Sequence, residues 1–185
     1  MKKMTCIHIG GLYASKEPAV IETLLGSCVA VCLFDPVEQI GGMNHILLPG
    51  RADLKHYDVV SRYGINAMEL LINKLMNLGS KRYPLVAKVF GGAHVLPAIS
   101  HENGMGRKNV EFVLEFLHME TIPITSRDTG GCRARKIYFH TDTGEVLLKR
   151  IHPTHHAEVG LRERNFVDRV VRMKAEEPGE ITMFT

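Results

Sequence analysis

Short apolar runs separated by turn-forming residues fill the first part of this chain, and this pattern favours a fold rich in β-strands. Three such runs, each rich in β-branched or other apolar residues, predict strands: Cys6–Ile9, Val20–Leu25 and Val29–Phe34. Asp35-Pro36 is a turn signal, so Ile40–Leu48 is predicted to return as the second strand of a hairpin. Gly41 and Gly42 within it indicate either a β-bulge or the close approach of another backbone.

Helical periodicity is confined to three segments. From Asp58, a good N-cap, to Leu78 the apolar residues recur every three or four positions, and Gly79 is suited to end the helix. The stripe comprises Val60, Tyr63, Ala67, Leu70, Leu71, Leu75 and Leu78. Two more helices are predicted, over Arg107–His118 and Val159–Met173. The apolar stripe of the last helix comprises Val167, Val170 and Val171.

Strands return in the second half of the chain. They are predicted over Leu85–Phe90, Ile122–Ser126, Lys136–His140 and Val146–Lys149. Asp142-Thr-Gly144 predicts a hairpin turn between the last two. Many strands and few helices, without strict alternation, favour the α+β class with mixed or antiparallel sheets. We expect one domain over residues 1–150 and a helical C-terminal extension, residues 151–185, packed on it.

Composition excludes several classes of protein. The 185 residues are 45% hydrophobic, enough for a full core, but no apolar run reaches the length of a membrane span. The polar N-terminus does not resemble a signal peptide, so a cytoplasmic protein is expected. The four cysteines are scattered, which disfavours a disulfide framework. A net charge of +3 and the absence of tryptophan disfavour nucleic-acid binding.

The sequence around one cysteine is typical of a reactive thiol. Cys28 follows Gly26 and Ser27, and His45 lies on the segment predicted to return beside it. A thiol becomes a good nucleophile only when a base or a positive field takes its proton. The pair therefore predicts cysteine hydrolase chemistry. The backbone N–H groups of the Gly26-Ser27-Cys28 turn are the expected oxyanion donors, because glycine permits close approach of a substrate.

Ordinary explanations of these residues stay open at this point. Cys28 could be a small buried apolar residue, His45 a hydrogen-bonded core histidine, and Thr23 a β-former in its strand. Ser27 lacks the second glycine of a nucleophile elbow, so we predict a positioning or oxyanion role for it.

A polar turn precedes the strand predicted over Lys136–His140. It comprises Asp128, Thr129, Gly130 and Gly131. Its backbone donors predict part of a cleft wall that positions the substrate, although a plain hairpin loop is the alternative. Arg133 and Arg135 alternate along the strand and are predicted to face carboxylates of a partner.

Taken in order, these motifs resemble the CheD family of chemoreceptor glutamine deamidases. They are Leu25-Gly-Ser-Cys28-Val-Ala-Val, Asp35-Pro36, His45, Gly91-Gly92-Ala93, Gly106-x-x-Asn109 and Asp128-Thr-Gly-Gly-x-Arg-x-Arg135. The resemblance covers roughly residues 8–150. It implies two mixed sheets packed face to face as a sandwich with helices outside, a fold related to deamidating toxin domains.

The resemblance also implies an activity, site residues and partners. The activity is hydrolysis of particular glutamine side chains on methyl-accepting chemotaxis receptors, with Cys28 as nucleophile, His45 as base and Thr23 orienting His45. Some members of the family also bind a CheC-type phosphatase. No cofactor, nucleic acid or membrane insertion is implied. His152, His155 and His156 have only Glu158 near ligand spacing, so no metal site is predicted.

Three rival functions stay open. The chain could be a CheD-like adaptor that binds a receptor or phosphatase with little catalysis. It could hydrolyse a receptor methyl ester, since a thioester intermediate is common to both reactions. A toxin-like deamidase of another protein is disfavoured, because no secretion segment is visible.

Overall fold

The computed structural model describes residues 2–48, 50, 52, 54, 56, 58–95 and 104–175. Its strands are β1 Lys3–Cys6, β2 Leu12–Ser15, β3 Ala19–Leu25, β4 Val29–Asp35, β5 Ile40–Ile46, β6 Val86–Gly91, β7 Ile124–Thr129, β8 Arg135–His140 and β9 Val146–Arg150. Its helices are α1 Val59–Asn77, α2 Met105–Met119 and α3 His156–Ala175, the last preceded by a 3₁₀ turn at Pro153–His155. Of the predicted extension, residues 176–185 lie outside the described residues.

The strands form two mixed sheets, which confirms the predicted α+β class. One sheet has four strands in the order β1-β3-β8-β9, and the other has five in the order β2-β5-β4-β6-β7. β1 runs parallel to β3, and β6 runs parallel to β7, while the other neighbours are antiparallel. The sheets pack face to face, because Ile21 and Phe139 of the first share a buried cluster with Ala30 and Met43 of the second.

Strand β4 separates two cores because its side chains alternate between the faces of the sheet. Ala30 and Cys32 face the four-stranded sheet. Val29, Val31 and Leu33 pack on the opposite face against α1 and α2. The molecule is therefore layered as sheet, sheet and helices, and the residues at the start of β4 lie between the two sheets.

The predicted boundaries of α1 and of the first hairpin agree with the structure. The Asp58 side chain accepts a hydrogen bond from the Ser61 N–H at 2.7 Å and caps α1. Gly79, with φ +110°, follows the helix. Asp35 accepts from the N–H groups of Val37 and Glu38 and so shapes the turn between β4 and β5.

Several local predictions were wrong. β1 ends at Cys6 instead of running to Ile9, and β2 was not predicted. Gly41 and Gly42 pair in regular register with β4, so there is no bulge at these positions. The alternative is confirmed, since a Cβ on Gly41 would lie 2.6 Å from the Thr141 carbonyl oxygen.

The predicted helix stripes also needed correction. Leu70 of α1 is 50% exposed, whereas Met68 and Ile72 are buried. Val171 of α3 is 51% exposed, and the buried residues of that helix lie nearer its start, at Val159 and Glu163. Within the described ranges, no helix is both long and apolar enough to cross a bilayer.

Candidate active site

Thr23, Cys28 and His45 line one cavity of about 470 Å³ where the two sheets meet α3. Thr23 lies in β3 of the four-stranded sheet, and His45 lies in β5 of the five-stranded sheet. Cys28 directly precedes β4, in which Ala30 is the cross-strand partner of His45. Because residues two apart on a strand share a face, Cys28 is a diagonal neighbour of His45. The structure thus brings together the three residues for which sequence predicts a common role.

A hydrogen bond between the sheets sets the tautomer of His45. Thr23 Oγ1 donates its single proton to the Ile7 carbonyl oxygen at 2.8 Å and lies 2.7 Å from His45 Nδ1. A hydroxyl that has given its proton to a carbonyl can only accept at its second contact. We therefore assign the proton of the neutral imidazole to Nδ1, which leaves a lone pair on Nε2.

The other ring nitrogen of His45 is held ready to accept a proton. Among the described residues, His45 Nε2 has no hydrogen-bond partner although it is buried. Burial, with a smaller contribution from His8, lowers the pKa of His45 from 6.5 to about 3. The imidazole is therefore neutral at physiological pH, as a general base must be before it acts.

Cys28 is only 1% exposed, and a carboxylate from α3 lies against it. Glu163 Oε1 accepts from the Cys28 thiol at 2.9 Å and from the Cys28 N–H at 3.2 Å. Oε2 of the same carboxylate accepts from the Ser27 hydroxyl at 2.6 Å. Burial, the negative charge of Glu163 and its hydrogen bond raise the pKa of the Cys28 thiol well above its ordinary value. In this arrangement Cys28 is a protonated thiol.

The turn that carries Cys28 is fixed from two sides. Asn109 of α2 donates to the Ser27 carbonyl oxygen and accepts from the Leu48 N–H, both at 2.9 Å. On the other side, the Gly92 N–H donates to the Cys28 carbonyl oxygen at 2.8 Å. Gly91, with φ +117°, permits this approach, since a Cβ there would lie 2.1 Å from the same oxygen. The Gly-Gly-Ala and Gly-x-x-Asn motifs thus support the Cys28 turn.

Glu163 was missed by the sequence analysis. It lies four residues after the buried Val159 and four before the half-buried Val167, so all three share one face of α3. An acidic residue within an apolar stripe was the available signal. The predicted stripe began only at Val167, so it did not include Glu163.

The turn predicted over Asp128–Gly131 begins later than expected, because Asp128 and Thr129 end strand β7, and these residues do not line this cavity. Asp128 forms ion pairs with Arg135 and with Arg150, the latter at 2.6 Å. Thr129, Gly130 and Gly131 line a different cavity, of about 270 Å³, together with Gly92 and Val110. Their predicted contact with a substrate stays a prediction.

The predicted pairing of Arg135 with a partner is wrong. Arg135 is 1% exposed and donates to the carbonyl oxygens of Asp128, Gly130 and Arg133. Its guanidinium is therefore used inside the fold, where it ties the turn to β8. Of the two arginines, Arg133 is the exposed one.

The other cysteines and histidines lie in less distinctive settings. Cys32 is buried between the sheets, while Cys6 and Cys132 are exposed, and the cysteines are unpaired. In the part of the chain that the structure describes, no group of histidine, cysteine and acidic side chains is arranged to hold a metal ion.

Comparison with known proteins relates the chain to one family. The family model described as CheD chemotactic sensory transduction matches residues 47–150. A probable chemoreceptor glutamine deamidase CheD 1 from Shewanella oneidensis is 42% identical over 177 residues, covering 95% of this chain and 84% of that protein. A similarly named protein from Hahella chejuensis is 39% identical over 184 residues, covering 98% and 85% of the two chains. One from Stenotrophomonas maltophilia is 48% identical over 148 residues, covering 80% and 73%.

Proposed function

The chain belongs to the CheD family, and from that membership we propose that it hydrolyses glutamine side chains of chemoreceptors to glutamate. Support comes from relatives named as chemoreceptor glutamine deamidases at about 40% identity over most of the chain. It comes also from the cavity, in which a cysteine and a neutral histidine lie side by side. The substrate class is thus a primary carboxamide on another protein.

The single observation that carries the mechanism is the unpartnered Nε2 of His45 in the cavity that Cys28 lines. Because Thr23 Oγ1 accepts the proton that Nδ1 carries, Nε2 is the atom that takes the thiol proton of Cys28. The thiolate then attacks the carboxamide carbon and forms a tetrahedral adduct with a negative oxygen. Thr23 acts as a positioning residue, because its hydroxyl is hydrogen-bonded to the imidazole and to the Ile7 carbonyl oxygen.

The oxyanion needs hydrogen-bond donors at the start of β4. The Cys28 N–H and the Ser27 hydroxyl, which now hold the two oxygens of Glu163, are the donors available there. Donors fixed in advance stabilise a developing negative charge without reorganisation. Asn109 and Gly92 hold this turn, so we assign them an indirect role in keeping the donors in place.

Collapse of the adduct completes the reaction in two further steps. His45 Nε2–H gives its proton to the departing nitrogen, so ammonia leaves and a γ-glutamyl thioester remains on Cys28. Water then loses a proton to His45 and attacks the thioester carbon. The C–S bond breaks, the thiol is restored and glutamate is released.

The partners follow from the same proposal. Chemoreceptors are the protein substrates, and binding of a CheC-type phosphatase stays a prediction from the family resemblance. The adaptor and methyl-ester functions remain the alternatives that the experiment must separate, since neither needs ammonia to be released.

The test incubates purified cytoplasmic fragments of a chemoreceptor with this protein. Each converted glutamine raises the intact mass by about one dalton and releases one ammonia, as hydrolysis of a carboxamide requires. Cys28→Ala should abolish both signals, whereas Cys32→Ala, a matched change at a second buried cysteine, should retain them. Unchanged fragment mass with the wild-type protein would overturn the proposal. Methanol release from methylated fragments in place of ammonia would favour the esterase.

A further inference from the structure

Helix α3 returns to the cavity and covers Cys28 with one side chain. Glu163 is 5% exposed, and its carboxylate makes three hydrogen bonds, to the Ser27 hydroxyl, the Cys28 N–H and the Cys28 thiol. These are the groups to which the proposed reaction assigns oxyanion binding and nucleophilic attack. The proposed steps do not use Glu163, so its place there needs another explanation.

The chemistry of the side chain supplies that explanation. Glutamate is the product of glutamine hydrolysis, and the two side chains have the same length and shape. Glu163 Oε1 accepts from the Cys28 N–H at 3.2 Å, the donor that the proposed reaction assigns to the carboxamide oxygen, and from the Cys28 thiol at 2.9 Å. The structure holds, in effect, a product-like side chain presented by a helix.

On the basis of the proposed function, we propose that α3 occupies the groove that receives the receptor helix. Glu163 stands in the position of the glutamine to be hydrolysed, and α3 must leave before a receptor can bind. The helix is thus an intramolecular occupant of the substrate site, and its position defines how a glutamine on a helix reaches Cys28.

The groove is shaped for a helix. Val159 and Phe166 of α3 line the same cavity on either side of Glu163, about one turn away in each direction. Gly26 provides the clearance, because a Cβ there would lie 2.7 Å from Glu163 Oε1 and from Val159 Cγ1. A glycine at this point lets a helix approach the Cys28 turn closely.

The attachment of α3 is slight enough to be reversed. Over residues 156–172 only Val159, Gly160 and Glu163 are buried. By contrast, α1 buries six residues, among them Met68 and Leu75. Phe166 and Val167 add half-buried apolar contacts, but most of the surface of α3 faces solvent. Displacement of α3 by a competing helix therefore costs fewer apolar contacts than displacement of α1 would.

The first test converts the occupant into a substrate. In Glu163→Gln the introduced carboxamide should be attacked by Cys28, with water supplying the oxygen and ammonia leaving. Peptide mapping should show the introduced glutamine reverting to glutamate, a gain of about one dalton, at a rate independent of protein concentration. The reversion should be absent in Glu163→Gln/Cys28→Ala. It should also be absent in Glu158→Gln, which places a glutamine on the exposed side of the same helix.

The outcomes separate this inference from the proposed function. If receptor fragments are deamidated but the introduced glutamine persists, α3 does not mimic the substrate and the inference is overturned. If neither is converted, the deamidase function fails and the inference falls with it. Reversion without receptor conversion supports the inference and rejects the receptor as substrate.

A second test removes the occupant. Glu163→Ala should raise kcat/KM on receptor fragments about tenfold, as expected when the competent state rises from about a tenth of the molecules to nearly all. Cys28 should also become reactive toward iodoacetamide, in addition to the exposed Cys6 and Cys132. The control Glu158→Ala should change neither quantity. Equal activity and equal labelling in Glu163→Ala and wild type would overturn the inference.

Discussion

Thr23 and His45 belong to different sheets, and the 2.7 Å contact between Thr23 Oγ1 and His45 Nδ1 joins those sheets beside Cys28. The contact has two effects. It satisfies a buried ring nitrogen, and it directs the lone pair of the imidazole to Nε2.

Removing the hydroxyl of Thr23 should greatly lower the kcat of deamidation while it changes the free energy of unfolding much less. In Thr23→Val the Nδ1 proton loses its acceptor, so the other tautomer becomes populated and Nε2 no longer accepts the thiol proton. We expect kcat on receptor fragments to fall about 10²-fold, the scale on which loss of an orienting group acts. Thr23→Ser retains the hydroxyl and should stay within a few-fold of wild type. Equal loss in both variants would contradict a hydrogen-bonding role.

Stability should fall as the pH is lowered, because His45 resists protonation in the folded state. Its pKa is about 3 in the fold against an ordinary 6.5, so between these values the unfolded chain binds more protons. The free energy of unfolding therefore decreases with falling pH, with a contribution from this group of about 1.4 kcal/mol per unit. The contribution is fully present above pH 6.5 and is lost progressively down to about pH 3.

Urea unfolding from pH 7 to pH 5 measures this slope. His45→Asn removes the titrating group and should flatten the dependence, while His155→Gln, at an exposed histidine, should leave it unchanged. A slope in His45→Asn as steep as that of wild type would assign the acid sensitivity to other residues.

Replacing the amide of Asn109 by a carboxylate should lower both the stability of the protein and its deamidation activity. Asn109→Asp retains the acceptor for the Leu48 N–H but sets an oxygen against the Ser27 carbonyl, where the amide now donates. We expect a loss of about 1–3 kcal/mol in the free energy of unfolding, the cost of a buried group left without a partner. Asn73→Asp on the exposed face of α1 is the matched control. Deamidation should fall with Asn109→Asp, because the Cys28 turn loses one of its two supports.

Arg135 should be irreplaceable by lysine. Its guanidinium reaches Asp128 and three backbone carbonyl oxygens, and a single ammonium group cannot repeat that fork. Arg135→Lys should lower the free energy of unfolding by about 3 kcal/mol, whereas the exposed Arg133→Lys should be neutral. Thermal or urea unfolding checks the difference, and equal stability of the two variants would contradict the buried role.

Local patterns predicted much of the secondary structure correctly. The period of α1 and the capping side chain of Asp58 are properties of neighbouring residues, as is the Asp35 turn of the first hairpin. Errors arose where tertiary packing overrode a local pattern. Leu70 follows the helical period yet is half exposed, because the face of α1 that packs on β5 centres on Met68 and Ile72.

The amino-acid sequence alone predicted the class of fold and the family and singled out Cys28 and His45 as candidates, because these depend on order and spacing along the chain. Only the tertiary structure decided which groups meet Cys28. Thr23 reaches His45 across two sheets, and Glu163 reaches Cys28 over 135 positions of sequence. The physical reason is that the spacing of apolar residues along the chain reflects only the local preference of a segment for helix or strand. Contacts between distant elements depend on strand order and on how α3 docks, and a local pattern does not specify which residues then meet.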